Sequence, residues 1–92
     1  MTKQHLEALL AAAGAKTGSD GWANVEEGRS MTFYIASAGA SLTVGRVEAV
    51  RATGDLLYTR SVRNEQFVLN LADVFAGAVD GPREGARKAG FV

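Results

Sequence analysis

Residues 42–50 read LTVGRVEAV, and the interpretation of this run decides the fold. Leu42 and Val44 alternate with polar Thr43, Gly45 interrupts, and Val47, Ala49 and Val50 resume the apolar pattern. Alternation with period two marks a strand that buries one face. A lone glycine inside such a run marks a bulge or tight bend, because a residue without Cβ lets the backbone curve and another chain approach closely. The stretch therefore predicts one long strand bent at Gly45. A bent strand can belong to two sheets at once, which is how a very small barrel closes its core.

The flanking segments supply the neighbours that such a strand needs. Residues 31–38 place Met31, Phe33 and Ile35 on one alternating face and Thr32, Tyr34 and Ala36 on the other, the signature of a half-buried strand. Ala38-Gly39-Ala40 turns the chain back into the bent strand as a hairpin. After the Thr53-Gly54-Asp55 turn, residues 56–62 form a third strand with Leu56, Tyr58, Arg60 and Val62 facing one way, and Arg63-Asn64-Glu65 turns into a fourth at residues 66–69. Short strands separated by turns make an antiparallel meander.

Residues 2–13 predict a helix, with Leu6, Leu9, Leu10 and Ala13 at helical spacing, Thr2 as N-cap and Gly14 as the stop. Its apolar stripe is narrow, so it must lie on the open end of the barrel or on a neighbouring subunit. Residues 15–30 are rich in turn formers. They read either as a hairpin running from Trp22 to Ile35 with its turn near Glu27-Gly28, or as a long loop.

Residues 70–80 read two ways. Leu71, Val74, Phe75, Ala78 and Val79 match a helical template with Asn70 as N-cap and Gly81-Pro82 as the stop. The competing reading is a single turn at residues 71–73 followed by a last strand over residues 74–79, and Gly77 weakens the helix by about 1 kcal/mol. The expected architecture is α+β: an N-terminal helix on a strongly bent antiparallel sheet of four or five strands, a small open barrel. Residues 1–80 form the single globular domain, and residues 81–92, with Arg83, Arg87 and Lys88 against Glu84, form a flexible basic tail. The expected core comprises Leu6, Leu9, Leu10, Phe33, Ile35, Leu42, Val44, Val47, Val50, Leu56, Phe67, Leu69, Leu71, Val74 and Phe75.

Ninety-two residues at 47% hydrophobic composition hold one core. A chain of this size buries only about 60 to 65% of its unfolded surface, so association with other copies is a useful supplement to stability. Ten basic and ten acidic residues balance to zero, which argues against bulk DNA or an acidic membrane as partner. The absence of cysteine excludes disulfides, thiolate zinc sites and cysteine nucleophiles. No apolar run approaches the roughly 18 to 20 residues that a membrane helix needs, and a cytoplasmic location is expected.

Few residues carry chemistry. His5 is the sole histidine and sits in an exposed helical turn, where a lone histidine is far more often a surface residue than a general base. Gly14-Ala15-Lys16-Thr17-Gly18 departs from a phosphate-binding loop, with alanine before the lysine, a helix ahead of it and none behind. Arg46, Arg51, Arg60 and Arg63 fall in the strand region among Trp22, Tyr34, Tyr58 and Phe67. Such a mixture binds single-stranded nucleic acid in some proteins. On an antiparallel sheet the ordinary fate of such arginines is pairing across strands, here with Glu48, Asp55 and Glu65.

The order of features resembles the Sm-like family, particularly the bacterial RNA chaperones of the Hfq type, with a short N-terminal helix before a bent five-stranded meander. Phe33-Tyr34-Ile35, the loop at Gly39 and residues 42–47 with Gly45 at the bend resemble that family's first two strands; Phe67-Val68-Leu69 and residues 74–79 resemble its last two. The bacterial members carry an aromatic-Lys-His signature near the fourth strand, whereas this chain reads Phe67-Val68-Leu69-Asn70-Leu71. The family's RNA site therefore does not transfer. Small barrels of the SH3 and PRC types share the bent strand and a segment like Gly45-Arg46-Val47, and the resemblance to them implies a docking role.

The function expected is that of a non-enzymatic interaction module that needs no cofactor or metal. It self-associates as a homo-oligomer and docks a protein partner through Trp22, Tyr34 and Tyr58. The alternative is a single-stranded RNA-binding protein of Sm-like type using Arg46, Arg51, Arg60 and Arg63.

Overall fold

The computed structural model of the protein describes residues 1–81, so all but the first residue of the expected basic tail lies outside the described residues. Helix α1 (Lys3–Ala12) is followed by the short strands β1 (Lys16–Thr17) and β2 (Ala23–Asn24). The main sheet consists of β3 (Ser30–Ser37), β4 (Ala40–Thr53), β5 (Leu56–Ser61), β6 (Gln66–Asn70) and, after a 3-10 turn at Leu71–Asp73, β7 (Val74–Asp80). One N-terminal helix on a curled antiparallel sheet makes an α+β half-barrel, the architecture that the alternation pattern predicts.

Strand β4 organises the molecule. Its first half pairs with β3, from Ser37 opposite Ala40 to Met31 opposite Val47. Its second half pairs with β5, from Val47 opposite Ser61 to Thr53 opposite Leu56, and with β2 on the other side through Ala49 and Val50. The bend lies between the halves: two residues, Gly45 and Arg46, separate Val44 from Val47, whereas one residue separates their partners Phe33 and Met31. Such a bulge curves the strand and raises its twist. The sequence places the bend at Gly45, but the left-handed residue is Arg46, at φ 55°. Nothing at Gly45 requires glycine, since a Cβ there would meet no atom closer than Thr32 Oγ1 at 3.8 Å. A second irregularity at Glu48, between the pairs of Val47 and Ala49 with β5, completes the turn of β4 from one half of the sheet to the other.

The sheet runs β1-β2-β4-β3-β7, with β5 and β6 branching from β4. Strands β6 and β7 share no pairing among the described residues, and the barrel is open between them. Residues 70–80 follow the strand reading, and the helical alternative is overturned. In the strand, β3 supplies backbone partners from Ser30 opposite Asp80 to Ile35 opposite Val74. Gly77 faces inward opposite the buried Phe33, where a Cβ would overlap Leu9 Cδ2 of α1 and lie 3.4 Å from Leu9 Cγ. The glycine that weakens a helix is thus the place where α1 approaches the sheet.

Helix α1 begins where the spacing predicts, with Thr2 Oγ1 accepting the His5 N–H at 3.0 Å. It ends in a Schellman arrangement, Ala15 N–H donating to Leu10 O and Gly14 N–H to Ala11 O, with Gly14 at φ 66°. Leu6 and Ala13 are buried, while Leu9 and Leu10 pack partly buried against the core. The Met1 ammonium donates to Leu71 O at 2.9 Å and Val74 O at 2.5 Å, tying the start of the chain to the 3-10 turn.

Phe33, Met31, Leu57, Val47, Val50 and Val74 form the fully buried centre. Three core expectations are corrected. Leu42, near the β3–β4 hairpin, is 44% exposed although it stands opposite the buried Ile35, and Phe75 is 62% exposed because it falls in the register shift between the Tyr34 and Ile35 pairs. Leu57 occupies the interior in place of Leu56, since it is Leu57 that lies opposite the buried Leu69. Phe67 is only partly buried. The hairpin from Trp22 to Ile35 is also overturned: β2 pairs with β1 and β4, and residues 25–29 carry the chain across to β3.

Candidate functional site

The outward residues of β4, β5 and β6 lie side by side because directly opposed positions share a face. Arg51 is opposite Tyr58, Tyr58 is opposite Val68, and Ala49 lies between Asn24 and Arg60. Trp22 stands next to this row, immediately before β2. A tight loop holds it there: its N–H donates to Asp20 Oδ1 at 3.0 Å, its carbonyl accepts from the Gly18 N–H at 2.9 Å, and Gly21 takes φ 85°.

The result is a stack of rings and guanidinium groups. The Arg51 guanidinium lies 4.8 Å from the Tyr58 ring centroid and 5.5 Å from that of Trp22, and Arg60 lies 5.1 Å from the Trp22 centroid. Each such contact contributes about 0.5 to 1 kcal/mol at an exposed site. The two cations differ in their partners. Arg60 Nε donates to Glu48 Oε2 at 3.4 Å and its Nη2 to Asn24 Oδ1 at 3.3 Å. Arg51 has no hydrogen-bond or ion-pair partner among the described residues, and its Nε is buried without one. The rings therefore hold a cation that no carboxylate pairs among the described residues, Glu7 being the one that borders the same pocket.

The sequence names Trp22, Tyr58, Arg51 and Arg60, and the fold brings these four together. Tyr34 belongs to the other half of the sheet, beside Phe75 with ring centroids 6.3 Å apart. Arg46, in the bulge itself, and Arg63 line a depression with Glu65. Of the cross-strand pairings expected for the arginines, only that of Arg60 with Glu48 forms among the described residues. Asn24 and Val68 escape a reading by residue type, because their part in the site depends on register, whereas Glu48 is one of the carboxylates that the sequence sets against the arginines. Exposed Val68, at 56%, extends the row beyond Tyr58.

A second surface is defined by what it lacks. Thr32 and Tyr34 of β3 stand opposite Ala78 and Ala76 of β7, with Thr43 of β4 beside them and Phe75 at the bulge, all without charge. No helix among the described residues is long and apolar enough to cross a membrane. No family model matches the chain, and neither a curated protein nor a solved structure matches it.

Proposed function

We propose that the chain is a non-enzymatic, cytoplasmic interaction module that associates with copies of itself through β7 and docks a protein partner on the face around Trp22 and Tyr58. One observation carries the reading. Strand β7 has a backbone partner on one side only among the described residues, is uncharged from Val74 to Val79, and presents Phe75 at 62% exposure next to Tyr34. An edge strand that stays single is ordinarily blunted by lysine, proline or a bulge that twists it away. Here the bulge at Phe75 turns an aromatic ring outward on an uncharged face, a combination that suits a second copy of the chain. Such an association also offsets the limited burial available to a small domain.

The RNA alternative has less support, since among the described residues Arg46 and Arg63 line a different depression from the ring cluster of Arg51 and Arg60, and Arg60 is paired with Glu48. The succession of N-terminal helix, bent strand, 3-10 turn and final strand supports, within the same proposal, kinship with Sm-like or SH3-like small barrels. Light scattering after size exclusion tests self-association. The wild type is expected to elute as a multiple of the protomer mass and Phe75→Lys as the protomer, with unchanged far-UV circular dichroism. A wild-type protomer at about 100 μM, a concentration at which a specific interface of ordinary affinity is filled, overturns the reading.

A further inference from the structure

We infer that the stack of Trp22, Arg51 and Tyr58 is a recognition site for a carboxylate side chain, Asp or Glu, on the docked partner. The inference rests on the docking half of the proposed function and is independent of self-association through β7. Its basis is the contrast between the two guanidinium groups. Arg60 is paired with Glu48 and Asn24, whereas Arg51, held between two rings, has no acceptor among the described residues. With Nε buried, the two Nη groups are the donors left to a ligand, and together they match the two oxygens of one carboxylate. The rings restrict the side chain before anything binds, so little of its rotamer freedom remains to be lost on binding.

The surroundings choose among anions. A single-stranded nucleic acid needs open aromatic faces for its bases and a succession of cations for its phosphates. The Trp22 ring already carries Arg51 and Arg60, Arg60 is paired with Glu48, and Arg46 and Arg63 line a separate depression; Lys3, which borders the same pocket as Arg51, is accompanied there by Glu7. Arg51, beside Tyr58 and with the exposed Val68 next along the row, fits one carboxylate with an apolar neighbour along a peptide.

Trp22 is the sole tryptophan, so its emission reports on this site alone. The probes are a blocked peptide of alternating Glu and Leu, its Gln and Leu counterpart, and oligouridylate, each titrated at low ionic strength. The acidic peptide is expected to shift the emission saturably and to bind about tenfold more tightly than the Gln peptide, the scale of one charge-assisted pair. Arg51→Gln should abolish that preference, Arg51→Lys should keep part of it by retaining charge without the fork, and Arg63→Gln should leave it unchanged. Melting curves of the variants show that each is folded. Equal binding of the two peptides overturns carboxylate recognition and leaves docking standing. Binding of neither peptide overturns both, and tighter binding of oligouridylate than of the acidic peptide overturns the inference in favour of RNA.

Discussion

Replacing Gly77 with alanine tests how the helix is seated on the sheet. The new Cβ would overlap Leu9 Cδ2 and stand 3.4 and 3.5 Å from Leu9 Cγ and Cδ1, at or inside the closest comfortable carbon contact of about 3.5 Å. The obstacle is the end of a flexible side chain, so the relief is a rotation of Leu9 away from its packing, with the backbone kept in place. Overpacking of this kind costs about 1 to 3 kcal/mol. The reduced freedom of the unfolded chain returns about 0.4 to 1 kcal/mol, leaving a net loss of about 1 kcal/mol. Leu9→Ala alone, at a partly buried position, should cost about 2 kcal/mol, at the low end for such truncations. In the double variant the alanine at 77 enters the space that Leu9 vacates. The combined loss should then fall short of the sum by about 1 kcal/mol, a coupling typical of residues in contact. Urea unfolding at one fixed protomer concentration measures all four corners of the cycle, and each 1 kcal/mol corresponds to about 4 to 8 °C in a parallel thermal melt. Additivity within about 0.5 kcal/mol would refute the contact.

Thr59 is fully buried and its hydroxyl has no partner among the described residues, so Thr59→Val should stabilise the protein by about 1 kcal/mol in the same assay; a loss would show that the hydroxyl is hydrogen-bonded. Gly45→Ala should fall within about 0.5 kcal/mol of wild type, whereas Arg46→Val, which forces a β-branched residue to φ 55°, should cost about 2 kcal/mol. The reverse order would move the left-handed residue of the bend back to Gly45. Leu57→Ala should cost about 3 to 5 kcal/mol and partly buried Phe67→Ala about 1 to 2 kcal/mol, and equal losses would contradict the depths assigned to the two side chains.

Much of the fold is legible in residues 31–53 because alternation, a central glycine and turn-forming tripeptides all agree on one answer. The helix is legible for the same reason, its cap, spacing and stop falling within one continuous segment. Legibility ends where distant chain supplies the decisive term. Residues 70–80 fit a helix by spacing, and what turns them into a strand is the backbone of β3, some forty residues earlier in the chain, together with the approach of Leu9 to Gly77. Phe75 is apolar and sits in a strand, yet a register shift carries it out of the core, and no local pattern encodes that shift. The site divides similarly. Residue type singles out Trp22, Tyr58, Arg51 and Arg60, but only the pairing of β2, β4 and β5 shows that Arg60 has a carboxylate partner and that Arg51 has none among the described residues. Tyr34, of the same residue type as Tyr58, is separated from them by the bend of β4.

The most direct test of the central claim is amide hydrogen exchange across β7 at low and high protomer concentration. Amides of residues 75–79 that β3 leaves unpaired should exchange freely in dilute protein and become protected as concentration rises, while those of β5 do not change. Rapid exchange of the same amides at every concentration would contradict an interface at this edge.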